Sequence, residues 1–413
     1  MKITMISNYI NHHQIPFCEA LYNRIANDYC FIQTEPMEEK RVAMGWAVNP
    51  DDYPYVILSY ENLDAAKAAI DECDMLLVGW LENEDIIQSR LKAKKLTVRI
   101  SERLYREGQW KAISPKGLIR KYMDHIRYRK APVYLLCNGA YVASDYKLIH
   151  AYPSKMYKFG YFPQTRYYYD NVELWHRKNR LDTIHIEHAE ELPEVPPVLT
   201  EKAIQIVWAG RFIELKHPEF MIRLASDLVR RGYRFHIHMI GSGEMEEVLR
   251  EQAEYEMIED YITFHGFLNP SRVRDIMEES NIHIFTSNFL EGWGAVVNEG
   301  MNAALAEVVN DEVGAGFFLI KHEQNGLLYH NGAYDSMLEQ VLKLFEKPHL
   351  ISEYGKAAYD TIATEWNAEV AADRIIDFYN GYINGEINPP EDGPLSVAPL
   401  IKPRFWASGK LKD

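Results

Sequence analysis

The chain has 413 residues, too many for one ordinary core, and at roughly 100 to 200 residues per domain it calls for two domains with a cleft between them. Hydrophobic residues make up 47% and charged residues 25%, which excludes a disordered chain. A net charge of −15 argues against a nucleic-acid partner, because phosphate binding needs a predominantly basic face.

The opening MKITMISNYINHHQIPF lacks the apolar core of a signal peptide and reads as a first strand. No run approaches the ~18 apolar residues of a membrane span, so a soluble, cytoplasmic protein is expected. Strands at Lys2–Ser7, Met75–Gly79, Leu96–Ile100 and Val133–Cys137 alternate with helices at Pro16–Ala26 and Glu84–Lys92, the pattern of a doubly wound parallel sheet. Cys18, Cys30, Cys73 and Cys137 show no zinc-binding spacing and read as buried free thiols. Pro193, Pro196 and Pro197, set among acidic residues, mark a linker.

The pattern then restarts. Strands are predicted at Ala203–Ala209, Arg234–Ile240, Ile262–His265 and His283–Ser287, with helices at Pro218–Arg231, Glu244–Tyr255, Arg272–Ser280 and Val297–Ala304. From Asn384 the chain is proline-rich and aperiodic, so that tail should be extended or loosely attached.

Ligands of doubly wound folds bind at the carboxyl ends of the strands, and three features fall there. Arg211 follows the first strand of the second half and Lys216 lies at the next helix start, so both cations can flank one phosphate; a solvated surface pair fits equally. Gly241-Ser242-Gly243-Glu244 ends the next strand, where the glycines allow either close approach to a ligand or a tight turn. Glu291-Gly292-Trp293-Gly294 leads into a helix carrying Glu299, eight positions on and close to two turns away. The glycines leave N–H groups for an anion, and the two carboxylates can reach a sugar and a ribose; the spacing alone also fits an acidic helix start followed by an exposed helical Glu.

With Phe264-His265-Gly266-Phe267 and Asn325-Gly326-Leu327-Leu328 added, residues 203–380 resemble the donor domain of family 4 glycosyltransferases, retaining enzymes of the GT-B fold. The resemblance implies an α/β chain of two Rossmann-like domains facing a central crevice. Residues 1–185 would be the acceptor-side domain, 186–202 a linker and 203–365 the nucleotide-sugar donor domain. A helix at 366–384 would cross back to the first domain, with a tail at 385–413. Arg211 and Lys216 would hold the donor pyrophosphate, Glu291 would face the sugar, Glu299 would bind the ribose, and the backbone near Gly266 and Phe267 would meet the base. The loop Gly292, Trp293, Gly294 and the glycines Gly241 and Gly243 would complete the donor site.

Two departures stand out. Ala304 and Ala306 replace an expected Gly and Pro, and Glu307 falls where an apolar strand residue belongs, so it needs a partner or a displaced strand. In the first half, Asn11-His12-His13-Gln14 stands where many relatives have a Gly-rich loop; a capped turn is the plainer reading, and adjacent histidines rarely chelate one ion. Glu102 stands near where relatives place a histidine, and with His12 and His13 it is a candidate acceptor-side residue.

The implied reaction is sugar transfer from a nucleoside-diphosphate sugar to a hydroxyl of a carbohydrate or lipid-linked acceptor, in polysaccharide or glycolipid assembly. No cofactor or metal is expected, since no DxD motif occurs and fixed cations can stabilise the leaving diphosphate. A sugar-nucleotide epimerase and a non-catalytic nucleotide-sugar-binding protein are the alternatives. The segment from Trp110 to Lys130 carries seven Lys or Arg against Asp124 alone, interleaved with Trp110, Tyr122 and Tyr128; it reads as a peripheral contact to an anionic membrane, or as a solvated face.

Overall fold

The computed structural model describes residues 1–39, 48–167 and 203–402. The expected linker, with Pro193, Pro196 and Pro197, lies outside the described residues. The chain divides into two compact units, Met1–Gln164 with Glu365–Asp413, and Thr165–Thr364.

In the first unit, seven parallel strands are described: β1 (Ile3–Ser7), β2 (Tyr29–Gln33), β3 (Val56–Leu58), β4 (Met75–Val78), β5 (Thr97–Ser101), β6 (Val133–Asn138) and β7 (Met156–Phe159), in the order β3-β2-β1-β4-β5-β6-β7. β1 and β4 are buried along their whole length, as central strands covered on both faces must be. The helix Ala368–Ile383 packs on Ile15–Ile25, where Arg24 bridges Glu369 at 2.6 Å and Asp373 at 2.5 Å. The tail is held more firmly than its composition suggests. Leu395 N–H donates to Lys158 O at 2.8 Å and Ala398 N–H to Met156 O at 3.0 Å, so the segment uses the free edge of β7, and Leu395 and Ala398 are buried. All four cysteines are free; Cys18, Cys73 and Cys137 are buried, and Cys30 is half-buried.

In the second unit, β8 (Ile204–Ala209), β9 (Phe235–Ile240), β10 (Ile262–Gly266), β11 (Ile282–Phe285), β12 (Ala306–Asn310) and β13 (Leu327–Tyr329) form a parallel sheet in the order β10-β9-β8-β11-β12-β13. Its core joins Ile206, Trp208, Ile237, Ile284 and Val308 to Met221 and Leu224 of the helix Glu219–Arg230. Among the described residues, no helix is long and apolar enough to cross a membrane.

Candidate functional site

The strand order of the second unit reverses between β8 and β11, and open α/β sheets bind ligands beyond the carboxyl ends of the strands at such a point. Two of the three loops named from the sequence, those after β8 and β11, leave the sheet there. The β8 loop is tied to the β11 loop: Asn288 N–H donates to Leu215 O at 3.0 Å, and Thr286 Oγ1 donates to Lys216 O while accepting from Trp208 Nε1 at 2.7 Å. His217 then turns the chain through a left-handed conformation, φ 47°, into the helix Glu219–Arg230.

This fastening places Lys216 against Glu291. Lys216 Nζ pairs with a Glu291 carboxylate oxygen and lies 5.5 Å from the centre of the Phe285 ring. Both side chains are mostly shielded, with 15% and 17% exposure, so the pair is worth more than a surface contact. The cation expected to hold phosphate and the carboxylate expected to face sugar thus partner each other. The helix spacing is not what positions Glu291, because the helix covers Ala295–Asn302 and Glu291 precedes it. Arg211 is exposed and forms no ion pair among the described residues.

The glycines serve chain packing first. A Cβ on Gly241, at φ 133°, would lie 1.9 Å from Gly210 O, and one on Gly243 would lie 2.4 Å from Phe212 O. The β8 and β9 loops therefore touch backbone to backbone, fixed by Phe212 N–H to Ser242 O at 3.0 Å. Gly294 is left-handed, φ 89°, and opens the helix with its Cα against Phe285. Gly292 O accepts from Gly314 N–H at 3.1 Å. Trp293, expected at the donor, is buried instead: its indole N–H donates to Asn298 Oδ1 at 2.8 Å and its ring meets Phe318 edge-on. A large apolar ring gains more in the core than in an open loop. Gly266 takes φ 65° with open space beside it, and Phe267 next to it is exposed.

Glu299 sits in the second turn of the helix Ala295–Asn302, half-buried, and its carboxylate accepts no hydrogen bond among the described residues. Burial raises its pKa against the pull of Arg274, His283 and Arg166. Arg274 is itself buried and donates to Asn302 Oδ1. Below the helix, Glu307 keeps its place in β12 because His283 stands opposite on β11, Nδ1 to Oε2 at 2.7 Å. No strand is displaced. The pair fits only under glycine: a Cβ on Gly300 would lie 2.2 Å from Glu307 Oε1.

In the first unit, Asn11 Oδ1 accepts from His13 N–H at 3.0 Å, a local turn leading into the helix Ile15–Ile25. Burial lowers the pKa of both histidines, His13 to about 3 with His12 beside it. Glu102 pairs with Arg106 and accepts from Tyr161 O–H at 3.1 Å.

Residues 194–361, less than half of the chain, match the family of glycosyl transferases group 1. Over 181 residues the chain is 22% identical to a poly(ribitol-phosphate) alpha-N-acetylglucosaminyltransferase of Staphylococcus aureus, covering 44% of this chain and 36% of that protein. Over 169 residues it is 26% identical to an uncharacterized glycosyltransferase of Methanocaldococcus jannaschii, covering 39% of this chain and 43% of that protein. The matched regions span less than half of either relative. The crystal structure of Anabaena HepE in complex with UDP aligns with a TM-score of 0.64 at 11% identity, over 92% of this chain and 100% of that one. The fold is GT-B.

Sequence reasoning missed several residues of the second unit. Trp208, Thr286 and Asn288 fasten the Lys216 loop, and His283 satisfies Glu307. The histidine carried a faint signal, since it is a polar residue in the apolar run IHIF, and such a residue in a buried parallel strand implies a partner.

Proposed function

We infer that this chain is a retaining, metal-independent glycosyltransferase that moves a sugar from a nucleoside diphosphate to an acceptor hydroxyl. The observation that carries the reading is Glu299, a half-buried carboxylate that accepts no hydrogen bond among the described residues, on the helix that follows the loop carrying Glu291. A desolvated acceptor left open in this way suits a pair of ribose hydroxyls. Match and fold likeness to glycosyltransferases support the same reading, and the UDP held by HepE favours a uridine donor.

On donor binding, Lys216 would turn from Glu291 to the pyrophosphate with Arg211, leaving Glu291 for the sugar hydroxyls. The C1–O bond breaks with its electron pair passing to the diphosphate, whose growing charge the two cations and the amides near Gly294 stabilise. The acceptor oxygen bonds to C1 on the same face and its proton passes to the departing diphosphate oxygen, so no protein nucleophile is needed. An acceptor in polysaccharide or glycolipid assembly fits the N-acetylglucosaminyltransferase likeness. The altered segment Ala303–Glu307 is what kept a non-catalytic alternative open, and there Glu307 is partnered by His283 within a paired strand.

Thermal-shift titration against UDP-, GDP- and ADP-sugars tests the donor class, because a ligand of the native state raises stability by mass action. A shift with UDP-sugars that Glu299→Ala abolishes is expected. No shift with any nucleotide sugar would remove the assignment.

A further inference from the structure

The helix Pro115–Asp124 buries none of its side chains fully. At 3.6 residues per turn, Leu118, Ile119, Tyr122 and Met123 share one arc, while Lys116, Arg120 and Lys121 occupy the other. The apolar arc faces water: Ile119 is 68% exposed and Tyr122 55%, with Ile113 at 80% just ahead of the helix. A stripe of this kind in a chain of net charge −15 needs something to cover it.

Past the carboxyl end of this helix is a pocket of about 350 Å³, lined by Lys92 at the end of the helix Gln88–Lys92, by Lys94 in the turn after it, and by Arg127, Tyr128 and Lys130. None of the four cations forms an ion pair among the described residues. Arg127 is held in place by Gln88 Oε1 at 2.8 Å and by the Tyr128 ring at 4.5 Å, and its charge reaches Asp124 without closing an ion pair. The acid Asp124 is engaged by Arg120 at 3.6 Å.

We propose that this face docks on an anionic phospholipid surface, with the apolar arc entering the headgroup layer and the four-cation pocket receiving a lipid phosphate. The two features together select this occupant. A protein partner would explain the apolar arc alone and a soluble phosphate the pocket alone, whereas an anionic bilayer offers apolar depth and phosphate side by side. The site is separate from the donor residues, so it stands whether or not the donor assignment holds.

The test is sedimentation of the full chain with phosphatidylcholine vesicles, with and without phosphatidylglycerol, at low and high salt. Expected is pelleting with the anionic vesicles alone, reversed by salt. Ile119→Glu with Tyr122→Glu should abolish it. Lys92→Ala with Lys94→Ala and Lys130→Ala should weaken it on the order of 100-fold, from the contribution of each basic residue near an anionic leaflet. All these positions are exposed, and an unchanged thermal melt confirms that the variants fold. Equal pelleting with both vesicle types, none with either, or no loss in either variant would overturn the proposal. So would a phosphate-induced thermal shift without vesicle binding, which would assign the pocket to a soluble anion.

Discussion

His283 and Glu307 are register partners on β11 and β12, both wholly buried, with Nδ1 2.7 Å from Oε2. A carboxylate in a parallel-sheet interior is tolerated because its partner is supplied by the adjacent strand.

Removing one member should cost far more than removing both. Glu307→Ala should lower stability by about 3 kcal/mol, since it strands a buried polar partner, whereas His283→Phe with Glu307→Leu should cost much less. Urea unfolding of the three chains measures this. Equal losses in single and double variants would show that the pair is not coupled.

The same pair sets a pH dependence. Burial holds the Glu307 carboxyl above its ordinary 4.5, against the pull of His283. The folded state thus binds this proton more tightly than the unfolded state. The resulting stability is complete below about pH 4.5 and is lost as pH rises through the folded value. Glu307→Gln lacks that proton, so the parent should lose stability relative to the variant as pH rises from about 4.5. Parallel curves for the two chains would contradict the assignment.

With Glu299 on the donor ribose as proposed, Glu299→Ala is expected to weaken nucleotide binding, because such a contact is present in ground and transition states alike. Glu291→Ala should mainly lower kcat, as its contact changes when the glycosidic bond breaks. Steady-state kinetics beside UDP titration separates the two. Full activity in both variants would remove the donor assignment.

Lys216→Ala and Arg211→Ala should each slow transfer on the order of 100-fold, as expected for one preorganised charge-stabilising group. Lys216→Ala also leaves Glu291 without its cation, so a double-mutant cycle of the two in the ligand-free protein should show coupling. Additive stability changes there would mean that the pair contributes nothing.

Gly241→Ala should destabilise by roughly 3 kcal/mol or more, because overpacking and a left-handed backbone act together at a point where Cβ would lie 1.9 Å from Gly210 O. A melting temperature within about a degree of the parent would refute the close approach.

The sequence by itself determined the architecture. Alternating apolar runs and helical patterns require wound parallel sheets, and the glycines and charges of 210–216, 241–244 and 291–299 fall at strand ends because a strand's reach is local and readable. Short or edge strands such as β3 and β7 carried too few residues to show a period. What only the tertiary structure decided are pairings between residues far apart in the chain. Lys216 meets Glu291 because β8 lies beside β11, and Glu307 meets His283 because one register aligns them. Trp293 turns inward because Asn298 and Phe318 wait there, and the tail is fastened because β7 leaves an edge unpaired. Periodicity reports which face of an element is apolar; it carries no information about which distant residue will stand opposite, and that choice fixed how the charges of this site are held.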